Sequence, residues 1–117
     1  MSTIGKLRLS KDQNGEFLSG YIQTLEINLQ IRLYPILESA SANSPSHRIF
    51  ALGKDSSEIE IGAAWTKAMS KPDRFGEEFL SISIDDPSLP QALNVAAFKE
   101  ENSESYAITF RRRMAKA

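Results

Sequence analysis

Leu25, Ile27, Leu29, Ile31 and Leu33 stand at every second position, with Glu26, Asn28, Gln30, Arg32 and Tyr34 between them. A strand sends these two sets to opposite faces, whereas a helix would scatter the aliphatics around its circumference. The run therefore reads as a half-buried β-strand that Pro35 ends or places at an edge, because proline cannot donate to a ladder. The same alternation recurs along the chain. Leu7 and Leu9 begin a first strand, the turn Asp12-Gln13-Asn14-Gly15 carries the Asn-Gly hairpin signal, and Phe17–Gln23 returns. Leu18 and Ile22 are out of phase with Leu25, so a bulge or bend is expected near Thr24. Arg48–Leu52, Ile59–Trp65, Phe79–Ile84, Leu93–Phe98 and Tyr106–Arg111 follow. Their connections are Gly53-Lys54-Asp55-Ser56, the stretch Met69–Gly76, Asp85-Asp86-Pro87 and Glu100–Ser105. Lys67–Arg74 has room for one turn of helix at most, limited by Pro72.

The expected fold is all-β: a single-domain antiparallel sandwich or small barrel of seven to eight short strands, with little or no helix. The 117 residues suit one domain over 1–117, with a flexible Ser/Ala/Asn loop at 38–46 and a basic C-terminal tail at 111–117. A chain of this size buries roughly two-thirds of its unfolded surface and needs no staple. It has none to offer, since cysteine is absent, which excludes disulfides, thiolate catalysis and cysteine-held zinc or iron–sulfur groups. No apolar run approaches the ~20 residues of a membrane span, and the start lacks a signal-peptide core. A cytoplasmic protein with no membrane association is expected.

Charge is unevenly spread. Residues 1–54 carry six Lys/Arg against four Asp/Glu, 55–104 four against eleven, and 105–117 four against none. An acidic body with a basic end permits local contact with a polyanion. Arg111, Arg112, Arg113 and Lys116 would bind phosphate through clustered cations, or else form a charged edge that blocks sheet-to-sheet pairing. On the second face of several strands Phe50, Phe79 and Phe98 stand with Arg48, Ser81, Ser83 and Asn94. Such a face can stack unpaired bases, and it arises equally where a loop, a second sheet or a partner subunit covers it.

Catalytic readings are weak. His47 is the only histidine, lies at the end of a loop and has no G-x-S-x-G elbow to serve, so it reads as a solvated strand-edge residue. Asp85-Asp86 would point to opposite faces of a strand, and before Pro87 they read as a turn in which Asp accepts backbone N–H bonds. No Gly-rich phosphate loop occurs, and Gly62 inside a strand suggests a bulge or a close backbone approach. Trp65 shares a phase with Ile59, Ile61 and Ala63 and reads as a core or core-rim aromatic. Neither an enzyme nor a cofactor, metal or small-molecule substrate is expected.

The ordered pieces Ile4-Gly5, Asn14-Gly15, Gly20, Arg48-Ile49-Phe50, Ile61-Gly62-Ala63-Ala64-Trp65, Leu80-Ser81, Asp85-Asp86-Pro87 with Pro90, and Tyr106 cover nearly the whole chain. In these it resembles the small bacterial "domain of unknown function 736" family. It departs from that pattern in a longer Ser/Ala/Asn loop and in Met69–Gly76. The resemblance implies a proteobacterial protein of plasmids and integrative elements, near conjugation and antirestriction genes, and supplies no catalytic residues. The expectation is a non-enzymatic accessory binding protein of mobile-element biology. Single-stranded DNA or RNA would be held by Arg48, Phe50, Arg111, Arg112, Arg113 and Lys116. The alternative is a protein-interaction module, a regulatory or anti-defence subunit with a DNA-like acidic surface, or a homodimer.

Overall fold

In the computed structural model eight strands follow one another in chain order: β1 (Ser2–Asp12), β2 (Gly15–Gln23), β3 (Asn28–Pro35), β4 (His47–Leu52), β5 (Glu58–Ala68), β6 (Glu78–Ile84), β7 (Leu93–Lys99) and β8 (Ser105–Phe110). The structure describes residues 2–25, 27–36, 44–55, 57–68, 78–89, 91–100 and 103–110. Each strand pairs antiparallel with the next, and β8 returns to β1 through pairs from Ser2↔Phe110 to Arg8↔Ser105, closing the sheet into a barrel. Of the two architectures open to the sequence, the barrel is the one adopted. Closure leaves no strand edge for another chain to pair with. The described residues include no helix. Residues 38–43 of the expected flexible loop, the expected helical turn beyond Ala68, and the tail 111–117 lie outside the described residues.

Alternation fills the interior. On β6 Leu80, Ile82 and Ile84 are buried, while Phe79, Ser81 and Ser83 face outward. Ile22, Ile31, Leu33, Ile49, Ala97 and Ile108 complete an apolar lumen, and no polar or charged residue among those described is buried. A barrel of about eight strands is just wide enough for such side chains to fill it. Among the described residues the two ends carry different apolar side chains. Ile4, Leu29, Leu89, Leu93 and Phe110 pack on the core where the β2–β3, β4–β5 and β6–β7 connections lie, so that end is plugged. At the other end Leu9 and Tyr106 are the partly buried apolar residues against the core.

Three sequence expectations change. Leu25 does not join the aliphatic row. Pairing of Ile22 with Leu29 forces the chain to reverse between them; Thr24 N–H donates to Ile27 O at 2.7 Å, and Leu25 stands fully exposed in the turn. Trp65 does not share a face with Ile61. The β4–β5 register shifts between Ile49 and Phe50, which pair with Gly62 and Glu60 and leave Ile61 as the extra residue of a bulge. Past the bulge the phase inverts: Ala64 is fully buried, and Trp65, paired with Ser81, lies on the outside. Gly62 permits this, because a Cβ there would sit 2.0 Å from Ser83 O. His47 is not a solvated edge residue but half-buried at the start of β4.

The turns follow their chemistry. Asp12 Oδ1 accepts the Asn14 N–H at 2.8 Å ahead of Gly15, whose φ of 127° suits only glycine. Asp86 Oδ2 accepts the Ser88 N–H at 2.9 Å, so Asp85-Asp86-Pro87 is a turn as its sequence suggests. The Ser88 hydroxyl, followed by that backbone bond, holds the Asp86 carboxyl below the usual carboxylate range.

Candidate functional site

The outside of the barrel has two aromatic faces, and they differ in charge. Across β2–β5, Phe17, Tyr34 and Phe50 form a chain with ring centroids 5.4 and 5.5 Å apart. Two guanidiniums lie against it, Arg32 5.7 Å from the Phe17 centroid and Arg48 5.4 Å from that of Phe50. Both are engaged by carboxylates. Arg48 forks onto Glu60, Nε to Oε2 at 2.8 Å and a terminal nitrogen to Oε1 at 2.9 Å. Arg32 approaches Glu58 at 3.6 Å, and the Tyr34 hydroxyl donates to the same carboxylate. The fork holds the Glu60 carboxyl below its usual range and raises Arg48. Burial, then the bond to Glu58, pushes the Tyr34 phenol up. The structure thus brings Arg48 and Phe50 together, with the donors that would clasp a phosphate already clasping Glu60.

The second face spans β5–β8. Register places Lys67 beside Phe79, Phe79 beside Phe98, Phe98 beside Ala107 and Ala107 beside Lys6, one row across five strands. At the ordinary spacing of adjacent strands that row runs about 19 Å along the surface. Phe79 and Phe98 stack with centroids 5.2 Å apart and planes 23° apart. The next row is Trp65, Ser81, Ala96 and Thr109, and the one beyond is Ala63, Ser83 and Asn94. These small neighbours leave Trp65, Phe79 and Phe98 partly exposed. Cations flank them. Lys67 has no carboxylate partner among the described residues, and Lys6 has only a loose 3.8 Å approach to Glu100 in which both side chains are partly solvated. Arg8, also on the outside of β1, is the one described arginine without a carboxylate partner.

Phe50 therefore does not share a patch with Phe79 and Phe98. Glu60, beside Phe50, and Lys67, beside Phe79, lie at opposite ends of β5. Arg111, Arg112, Arg113 and Lys116 lie outside the described residues, and in sequence they follow Phe110, the last residue of β8. Sequence reasoning missed Trp65, Lys67 and Lys6 as members of the outer face. Lys67 and Phe79 were legible as a pair only through the β5–β6 register. Trp65 was hidden by the bulge, for which Gly62 was the signal.

Among the described residues no three His, Asp or Glu side chains gather in a way that would hold a metal ion. Neither the curated proteins nor the solved structures include a match to this chain. A family model described as protein of unknown function (DUF736) matches residues 3–113, and the chain belongs to that family.

Proposed function

We propose that the protein is a non-enzymatic accessory binding protein that holds single-stranded nucleic acid on the β5–β8 face. The observation that carries this reading is the row Lys67–Phe79–Phe98–Ala107–Lys6, with stacked, partly exposed rings in the middle and a cation at either end. Every base has a π-face, so exposed rings bind unpaired bases with little regard to sequence, and flanking cations meet the phosphates between them. Trp65 adds a third ring one row away, and Arg111, Arg112, Arg113 and Lys116 follow β8 in sequence and add to the cationic supply. Arg48 and Phe50 become secondary, since Glu60 competes for the guanidinium. The family resemblance favours plasmid and conjugative-element biology as the setting for this activity.

Fluorescence polarisation with labelled single strands over a salt series tests the reading. The logarithm of affinity is expected to fall linearly with the logarithm of salt, with a slope of about −0.7 per phosphate contact. Lys67→Gln should flatten the slope by about one such contact. No binding at low salt, or a flat salt response, overturns the proposal.

Leu25 and Ile59 favour a second reading as a protein-interaction module. They are 101% and 48% exposed at the same end of the barrel, where neither serves the core. Light scattering on the wild type and on Leu25→Asp decides it. A self-associating wild type and a monomeric variant would support a homodimer through that end, and a monomer in both would remove it.

A further inference from the structure

The row of the β5–β8 face does not stop at Lys6. Lys6 pairs with Tyr21 on β2, and Tyr21 with Gln30 on β3, so the row continues around the barrel for two further ladders. From Phe98 to Tyr21 it crosses three ladders, about 14 Å at the ordinary spacing of adjacent strands. Alternation turns Tyr21 outward, since Ile22 beside it is fully buried. At 43% it is the most exposed aromatic among the described residues, and its hydroxyl has no partner among them. The core does not use this ring, and one of its faces is open to a base.

The charge around Tyr21 has one sign. Arg8 pairs with Ser19, and Ser19 with Arg32, which makes the neighbouring row. Lys6, Arg8, Ser19, Gln30 and Arg32 therefore surround the ring on β1–β3, with no carboxylate among them. Glu58 draws on Arg32 at 3.6 Å and Glu100 approaches Lys6 at 3.8 Å, while Arg8 meets neither. Between Phe98 and Lys6 stands Ala107, whose methyl leaves a low passage for a sugar–phosphate chain. Cations alone would attract any polyanion. A solvent-facing ring set between them selects one whose bases are unpaired.

We infer that a single strand seated on Phe79 and Phe98 continues across β8 onto β1 and β2, where Tyr21 stacks a further base and Lys6 and Arg8 hold the phosphates between. This rests on the reading of the β5–β8 face given above. The path curves around the barrel. A single strand can follow it, whereas duplex DNA stays stiff over about 150 base pairs and keeps its bases stacked on one another.

A thymidine oligomer of about twelve residues, within the range of single-strand site sizes, tests it by polarisation against the full chain and its variants. Tyr21→Ala should weaken binding at least about five-fold, the low end for one base–aromatic stack, and Tyr21→Phe should keep wild-type affinity. Tyr21→Thr, which retains strand propensity without a ring, replaces the alanine variant if that one unfolds early in urea. Arg8→Gln should flatten the salt slope by about 0.7, one phosphate contact. Wild-type affinity in both ringless variants, beside a loss in Phe98→Ala, overturns the continuation and leaves the β5–β8 reading standing. A loss in the Tyr21 variants beside wild-type affinity in Phe98→Ala also overturns it, because the strand then bypasses the stacked rings. Equal affinity for a duplex of the same length overturns it as well. If the oligomer fails to bind the wild type at low salt, both readings fall.

Discussion

The rings of Phe79 and Phe98 stack across the β6–β7 ladder at 5.2 Å, on the solvent side of strands whose intervening residues Leu80, Ile82, Val95 and Ala97 are buried. The pair contributes area that the core does not require. Replacing either ring with alanine should cost the barrel the cross-strand contact, about 0.5–1.5 kcal/mol, together with the area that ring buries. Loss of a stacking partner for a base should cost about 1–3 kcal/mol of binding. Urea unfolding beside oligonucleotide titration separates the two quantities. Equal affinity in Phe98→Ala and the wild type would remove the stacking role.

Gly62 lets β5 change phase, and its substitution should be felt throughout the barrel. A Cβ at this position meets Ser83 O at 2.0 Å and Ile84 Cα at 3.0 Å, both backbone atoms of a paired strand that cannot turn aside. Gly62→Val is expected to lose about 3 kcal/mol or more, at or beyond the upper end of ordinary overpacking. Gly53→Ala is the control. Its nearest neighbour is the Ile59 side-chain tip at 3.1 Å, which can move, and a much smaller loss in urea unfolding is expected.

The strands were legible because each is short and alternating, and the Asp12–Gly15 and Asp85–Pro87 turns because their residue types leave the chain few other conformations. Barrel closure was not, since the β1–β8 contact joins the two extremes of the described chain and no local pattern encodes it. Trp65 falls on the other face for a related reason: one extra residue at Ile61 inverts every later position on β5, and a period-2 reading carries its phase straight through. Leu25 misleads because alternation cannot distinguish the end of a strand from the first residue of its turn. The functional face was the least legible. Lys67, Phe79, Phe98 and Lys6 are spread from position 6 to 98 and meet only through the ladders that join β5 to β6, β7, β8 and β1 in turn.

Arg48 and Glu60 supply a pH response with a defined sign. The Arg48 hydrogen bonds stabilise the Glu60 carboxylate and depress its pKa in the folded chain. The unfolded chain therefore binds the proton first as acid is added, and the contribution is present above the ordinary glutamate range and lost as pH falls through it. Arg48→Ala should return the Glu60 carboxyl, followed by carbon-13 NMR, toward its ordinary titration. It should also remove part of the acid-side decline in stability. An unmoved Glu60 titration would show that the fork does not persist in solution.

His47 should act at higher pH. Burial lowers its pKa. Glu16 and Glu78 line the same cavity as His47 and Ser46 Oγ lies 2.9 Å from Nδ1, yet desolvation of the charged ring sets the direction. An unfolded histidine titrates at about 6.5, so above that pH both states are neutral and stability is at its plateau. Below it the unfolded chain is protonated before the folded one, and stability declines until the folded ring also accepts its proton. His47 is the only histidine in the chain, so an inflection in the urea midpoint below about pH 6.5 and above the carboxylate range belongs to it. His47→Phe should flatten that interval and leave the Glu60 response in place. A decline that survives the substitution would mean that the ring is solvated enough to titrate as it does in the unfolded chain.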